Sequence, residues 1–213
     1  MRILLCGQRS FGKAVLKRLY EDGHSIVGVA APPQEKYYDK IVGYAQLKGI
    51  PIICDLDRLA AVDVPAGTDI IVAAHAHQFI SMKAIEKCKY GGIGFHPSLL
   101  PLHRGRDAVR WAVAMKDPVT AGTVYWLNNV VDGGDILDQR LVFIDKTWDY
   151  HDLWKELFTV GVNMVSDAIR SIEDGTAGRT PQDERFATFE PAWTSSRLKR
   201  NDLLALGGDK SST

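Results

Sequence analysis

The chain has no excess of charge of either sign: 26 Lys and Arg residues balance 26 Asp and Glu residues in 213. No overall field therefore draws it to nucleic acid or to an anionic membrane, and a small partner is expected. Cysteine is scarce. Its three positions, Cys6, Cys54 and Cys88, are odd in number and far apart, which excludes a disulfide framework. Two of them close apolar runs, Leu4-Leu5-Cys6 and Ile52-Ile53-Cys54, as buried reduced thiols do, and a cytoplasmic location is expected from that usage. No apolar stretch approaches the length that spans a bilayer, and the opening Met1-Arg2-Ile3-Leu4-Leu5-Cys6 is too short for a signal peptide. Internal repeats and low-complexity tracts are also missing.

What is present is a hydrophobic content of 46%, enough for one well-filled domain and too little chain for two. Short apolar runs alternate with helical periodicity, the sign of βα units on a mostly parallel open sheet with helices on both faces. The spacing predicts strands at 3–6, 26–31, 51–54, 69–74 and 92–95. It predicts helices at 11–22, 37–48, 81–89 and 107–115, and paired strands at 122–127 and 136–144. Between the third and fourth strands lies an Asp-rich connection. A long amphipathic helix over 148–173 closes the core through Leu153, Leu157, Val160, Met164, Ala168 and Ile172. The domain is expected to run from 1 to 185, with 186–213 as a partly disordered tail.

Two features carry chemistry. His96 ends a buried strand and opens the run His96-Pro97-Ser98-Leu99-Leu100-Pro101, while Asp132 stands before Gly133-Gly134 on a turn-forming loop. An imidazole and a carboxylate of this kind are the parts needed to move protons at a carbonyl centre. Each alone reads as a turn residue; the two together, with matched flanks, are far more specific.

The segment from Gly91 to Gly105 resembles the signature Asn-x-His-x-Ser-Leu-Leu-Pro-x-x-x-Gly of formyltransferases that use 10-formyltetrahydrofolate, matching at His96, Ser98, Leu99, Leu100, Pro101 and Gly105. The stretch from Gly122 through Asp132-Gly133-Gly134-Asp135 looks like that family's strand, folate loop and Asp-x-Gly turn. The likeness covers about residues 1 to 185. It is similar both to the hydrolase module of 10-formyltetrahydrofolate dehydrogenase and, at Gly105-Arg106-Asp107 and Trp111, to small-molecule N-formyltransferases.

The resemblance implies a Rossmann-like formyltransferase fold and a formyl donor, 10-formyltetrahydrofolate, held by Gln78, Phe79 and Ile80 and by the loop Asn128, Asn129, Val130 and Val131. It implies His96 and Asp132 as catalytic residues: imidazolium His96 steadying the oxyanion, Asp132 holding the imidazole and relaying protons through a water while a neutral amine or water attacks. Ser98 would support the turn. Arg9 and Ser10, at the start of the first helix, and His75 and His77, after the central strand, are expected to meet the acceptor. No metal is expected, because two histidines without further partners are a weak zinc signal.

One position departs from the signature. Gly94 stands where the transferases place an asparagine that hydrogen-bonds the tetrahedral oxygen; losing such a donor costs about 10²–10³ in rate when nothing replaces it. Hydrolysis of the same donor is thus an alternative to transfer onto an amine or hydroxylamine of a small molecule, with His75 and His77 as candidate replacement donors. A folate-binding protein that has lost its chemistry is a further alternative. NAD binding is disfavoured: Gly7-Gln8-Arg9-Ser10-Phe11-Gly12 lacks the three-glycine spacing and no acidic residue ends the second strand. The cluster Tyr125, Trp126, Trp148, Trp154 and Phe158 reads as core, and His24, His103 and His151 as loop or surface residues.

Overall fold

The computed structural model describes residues 1–32, 39–54, 57–76 and 78–193. Strand β1 (Arg2–Gly7) leads into α1 (Arg9–Glu21), then β2 (Ser25–Ala30), α2 (Lys40–Leu47) and β3 (Ile52–Ile53). These are followed by β4 (Arg58–Leu59), β5 (Ile70–Ala74), β6 (Phe79–Ile80), α3 (Met82–Glu86), β7 (Gly92–His96) and α4 (Ala108–Ala114). Strands β8 (Val119–Trp126) and β9 (Ile136–Phe143) precede the long helix α5 (Tyr150–Glu173). Seven strands make one sheet in the order β3-β2-β1-β5-β7-β8-β9. The pairs from β3 to β7 are parallel, whereas β8 runs antiparallel to both β7 and β9.

The alternation of side chains across the pleat divides the core into two layers. Ile3 and Leu5 of β1 and Ile70 and Val72 of β5 face α1, α2 and α5; Leu4, Cys6, Ile71 and Ala73 face α3 and the small β4/β6 pair. The expected mostly parallel sheet with helices on both faces is therefore the one observed. Helix α1 buries Phe11, Val15, Leu16 and Leu19 on one stripe. Helix α5 starts at a capping box, in which Asp149 accepts from the amides of His151 and Asp152 while Asp152 accepts from the amide of Asp149. Its buried stripe runs through Leu153, Leu157, Met164, Ala168 and Ile172.

Differences from the periodicity reading lie in short elements. The Asp-rich connection contains β4, which pairs in parallel with β6. Two residues are too few to show a period, and the pairing comes from tertiary contact alone. Helix α3 begins after Ser81, whose hydroxyl accepts from the Ala84 amide, and ends at Glu86 rather than at Lys89. Cys6 and Cys88 are buried free thiols; burial pushes Cys6 up to about 12 and Cys88 to about 11, so both stay protonated.

The chain order of the strands reverses between β1 and β5. At such a switch the carboxyl ends of parallel strands open a crevice. No helix is long and apolar enough to cross a membrane among the described residues.

Candidate active site

His96 is the last residue of β7 and only 6% exposed. Its Nε2 lies 2.7 Å from the backbone carbonyl oxygen of His103. A carbonyl can only accept, so Nε2 carries a hydrogen and Nδ1 is left as the nitrogen that takes up or yields a proton. Nδ1 faces Asp132, with Oδ2 3.5 Å away. The two residues singled out from the sequence thus meet across one site.

The loop between them is built by internal hydrogen bonds. The Ser98 hydroxyl donates to the Leu102 carbonyl at 2.6 Å, and Thr123 of β8 donates to the Ser98 carbonyl at 2.6 Å. Gln139 of β9 donates to the Leu100 carbonyl at 2.9 Å. Ser98 is therefore the turn support it was expected to be. The chain then folds back so that His103, read from sequence as a loop or surface residue, is buried. Its ring lies between carboxylates, Nε2 2.8 Å from Asp117 and Nδ1 3.0 Å from Glu190.

Asp132 adopts a left-handed backbone (φ 50°), a conformation that aspartate tolerates better than most residues. Each carboxylate oxygen has its own donor: the Gly105 amide on Oδ2 at 2.8 Å and the Tyr125 hydroxyl on Oδ1 at 2.6 Å. The backbone of the turn is held as well, since Gln182 Nε2 donates to the carbonyls of Asp132 (2.8 Å) and Gly134 (2.7 Å). Gly134 is required for want of space: a Cβ there would fall 1.7 Å from the Trp126 carbonyl oxygen.

Gln182 is itself set by Arg104, which donates to Gln182 Oε1 through Nε and Nη2 and to Glu184 through Nη1 and Nη2. Arg104 is only 1% exposed, and its charge is met by this fork of acceptors. Residues 186–193, placed by the sequence reading in a tail, run back along the histidine loop as a strap. The amides of His103 and Arg104 donate to the hydroxyl and the carbonyl of Thr188, and the Trp111 indole donates to the Pro191 carbonyl.

The remaining expected site residues fall into two places. On the side of the loop between β8 and β9, Asn128 accepts from the Val130 amide, shaping a turn that leaves Val130 and Val131 half exposed; Asn129 lies in the same turn. Gln78 is buried, donates to the Ala31 carbonyl, and leaves Oε1 with no partner among the described residues. Phe79 is half exposed with the Arg58 guanidinium 5.0 Å from its ring centre, while Ile80 is buried in the layer that also holds Leu127.

On the other side, Arg9 and His75 stand at the ends of β1 and β5, both with left-handed backbones (φ 58° and 61°). The Arg9 amide already donates to the Asp39 carboxylate at 2.8 and 2.9 Å, and Lys40 donates to Ser10 at 3.3 Å. One anion-binding donor of α1 is thus taken by the protein itself. His75 is exposed toward the crevice, yet enclosure by its walls and then the Arg9 charge hold its basicity below the usual value. His77 lies outside the described residues.

Tyr125, His103, Arg104 and Gln182 were not singled out from the sequence. Tyr125 sits directly opposite Gly94 in the β7/β8 pairing, a register that comes from the structure and not from the sequence.

Comparison with known proteins decides the family. The model of the formyl transferase family, described as "Formyl transferase", matches residues 57–169, more than half of the chain. The chain belongs to the formyl transferase family. This formyl transferase chain is 33% identical over 201 residues to mitochondrial 10-formyltetrahydrofolate dehydrogenase of Mus musculus, covering 89% of its own length and 22% of that protein. Its fold matches a 4-N formyltransferase from Francisella tularensis with a TM-score of 0.73 at 17% identity, covering 89% of this chain and 75% of the other. A phosphoribosylglycinamide formyltransferase from Anaplasma phagocytophilum gives a TM-score of 0.70 at 21% identity, covering 90% and 99%. The chain spans about a quarter or less of the length of the 10-formyltetrahydrofolate dehydrogenases it matches.

Proposed function

We propose that this formyl transferase moves a formyl group from 10-formyltetrahydrofolate to an amine or hydroxylamine of a small molecule. The observation that carries this reading is the buried His96 with Nδ1 3.5 Å from a carboxylate whose own position is fixed by two donors. His96 steadies charge on the formyl oxygen as the amine attacks, and Asp132 holds the imidazole and passes the amine proton on through water.

Residues of this chain fit the donor in two respects. The turn from Asn128 to Val131 offers half-exposed apolar side chains and backbone groups to a flat heterocycle, and Gln78 Oε1 is a buried acceptor without a partner among the described residues. Arg9, Ser10 and His75, at the switch-point crevice, meet the polar end of the acceptor. Nothing in the balanced charge favours a nucleic acid as acceptor.

A second reading is hydrolysis, with water in place of the amine. Gly94, at the position where the transferase signature has asparagine, favours it, as does the likeness to 10-formyltetrahydrofolate dehydrogenase. One experiment separates the two: 10-formyltetrahydrofolate is incubated with the protein alone and with a panel of amines and hydroxylamines, and both released tetrahydrofolate and formylated product are measured. Acceptor-dependent release with formylated product supports transfer, whereas equal release without acceptor supports hydrolysis. No release under any condition sinks both.

A further inference from the structure

The absence of a side chain at residue 94 has a partner on the neighbouring strand. Gly94 and Tyr125 face one another in the antiparallel β7/β8 register. A Cβ built on Gly94 would lie 2.9 Å from both Cζ and the hydroxyl oxygen of Tyr125, and 3.0 Å from Cε1. The ring thus fills the volume that any larger residue at 94 would need. It is buried, and its hydroxyl reaches Asp132 Oδ1 at 2.6 Å.

A phenol has one hydrogen to donate. Burial, and then the Asp132 charge, push the Tyr125 hydroxyl well above its ordinary range, so it stays neutral and keeps that hydrogen. The hydrogen is committed to Asp132. While the carboxylate accepts it, Tyr125 cannot also donate to a substrate oxygen, and it does not stand in for an amide side chain at position 94. Its effect passes through Asp132 instead: with the Gly105 amide on Oδ2 and the phenol on Oδ1, the carboxylate plane is fixed and Oδ2 is turned to His96.

We propose that Tyr125 is a positioning residue for the formyl-transfer centre, seated in the space that Gly94 leaves open and holding the Asp132 carboxylate against His96. The proposal rests on the reading of His96 and Asp132 as the reacting pair. Gly94 and Tyr125 then act as one unit, and a larger residue at 94 displaces the hydroxyl from its acceptor.

The test uses Tyr125→Phe, which keeps the ring and removes the hydroxyl, with Asp132→Asn, Gly94→Ala and the doubles of each with Tyr125→Phe. Release of tetrahydrofolate is followed with whichever acceptor, amine or water, the intact protein uses. Tyr125→Phe is expected to lower kcat about 10- to 100-fold, the size of effect that misplacing a reacting group by about 1 Å produces. KM for the folate should stay within about twofold, since the hydroxyl touches no ligand surface in this account.

Both doubles should lose no more than Asp132→Asn or Gly94→Ala alone, because the hydroxyl then has nothing left to position. A Tyr125→Phe protein that turns over at the intact rate, or losses that multiply in the doubles, overturns the proposal. If Asp132→Asn itself leaves the rate unchanged, it is the reading of the pair that fails. Should the intact protein show no turnover, ¹⁵N resonances of the His96 ring decide: they move on Tyr125→Phe if the hydroxyl positions Asp132, and unmoved resonances refute it.

Discussion

The His96 ring hands its Nε2 hydrogen to the backbone carbonyl of His103, 2.7 Å away, and so presents Nδ1 to Asp132. An acceptor that belongs to the main chain cannot be lost by side-chain substitution at residue 103, which makes the ring orientation a property of the loop. His96→Asn and Asp132→Asn should each lower kcat by about 10²–10⁴, the span that general acid–base groups supply. Circular dichroism should stay near that of the intact protein, while Asp132→Asn should also lower the thermal midpoint, because its amide nitrogen cannot accept from both donors that hold the carboxylate. Turnover within a few-fold of normal in either variant would remove that residue from the chemistry.

Gln182→Ala tests the brace beneath the carboxylate. It removes two donors, to the carbonyls of Asp132 and Gly134, and strands part of the Arg104 fork. Leaving buried polar groups unmatched costs about 1–3 kcal/mol. The urea midpoint should fall by the corresponding amount and kcat should fall with it; an unchanged midpoint would show that water replaces the amide without cost.

Gly134→Ala should be far worse than its size suggests. The added methyl meets a backbone oxygen at 1.7 Å, which no side-chain rotation relieves. A loss above about 3 kcal/mol, or no soluble protein, is expected. Gly178→Ala, which meets nothing within 4 Å and carries no positive φ, is the matched control and should fold normally. Equal behaviour of the two variants would contradict the close approach of the loop to β8.

His75 should titrate below its usual value of 6.5, because enclosure by the crevice walls and then the Arg9 charge disfavour the imidazolium. The folded chain releases this proton more readily than the unfolded chain. Its contribution is therefore neutral above the usual value and costs stability as the pH falls below it. Proton NMR of the ring gives the midpoint directly, and Arg9→Gln should raise it. A midpoint at or above 6.5 would show that the ring stands in open solvent.

The sequence discloses the parts of this molecule that repeat or that match a pattern. The apolar run of β5 and the stripe of α5 come from periodicity, and His96 and Asp132 come from two spaced motifs; the distance between them agrees with what the motifs imply. Elements made by distant contact are silent. Strand β4 has no period of its own, and His103 looks like a loop residue until Asp117 and Glu190 are brought to its two nitrogens. Tyr125 reads as one more aromatic in an apolar strand, because alternation predicts which face a residue takes and not which carboxylate waits there.

The strap has a consequence for the order in which the site is completed. The amide that braces the Asp132 turn comes from residue 182, and the groups that pin the histidine loop come from residues 188 and 190. All follow the last strand and the long helix in the chain. A nascent polypeptide emerging from the ribosome can therefore assemble its whole sheet, with Gly105 and Tyr125 already on the Asp132 carboxylate, before the braces on the turn and the loop arrive with the strap.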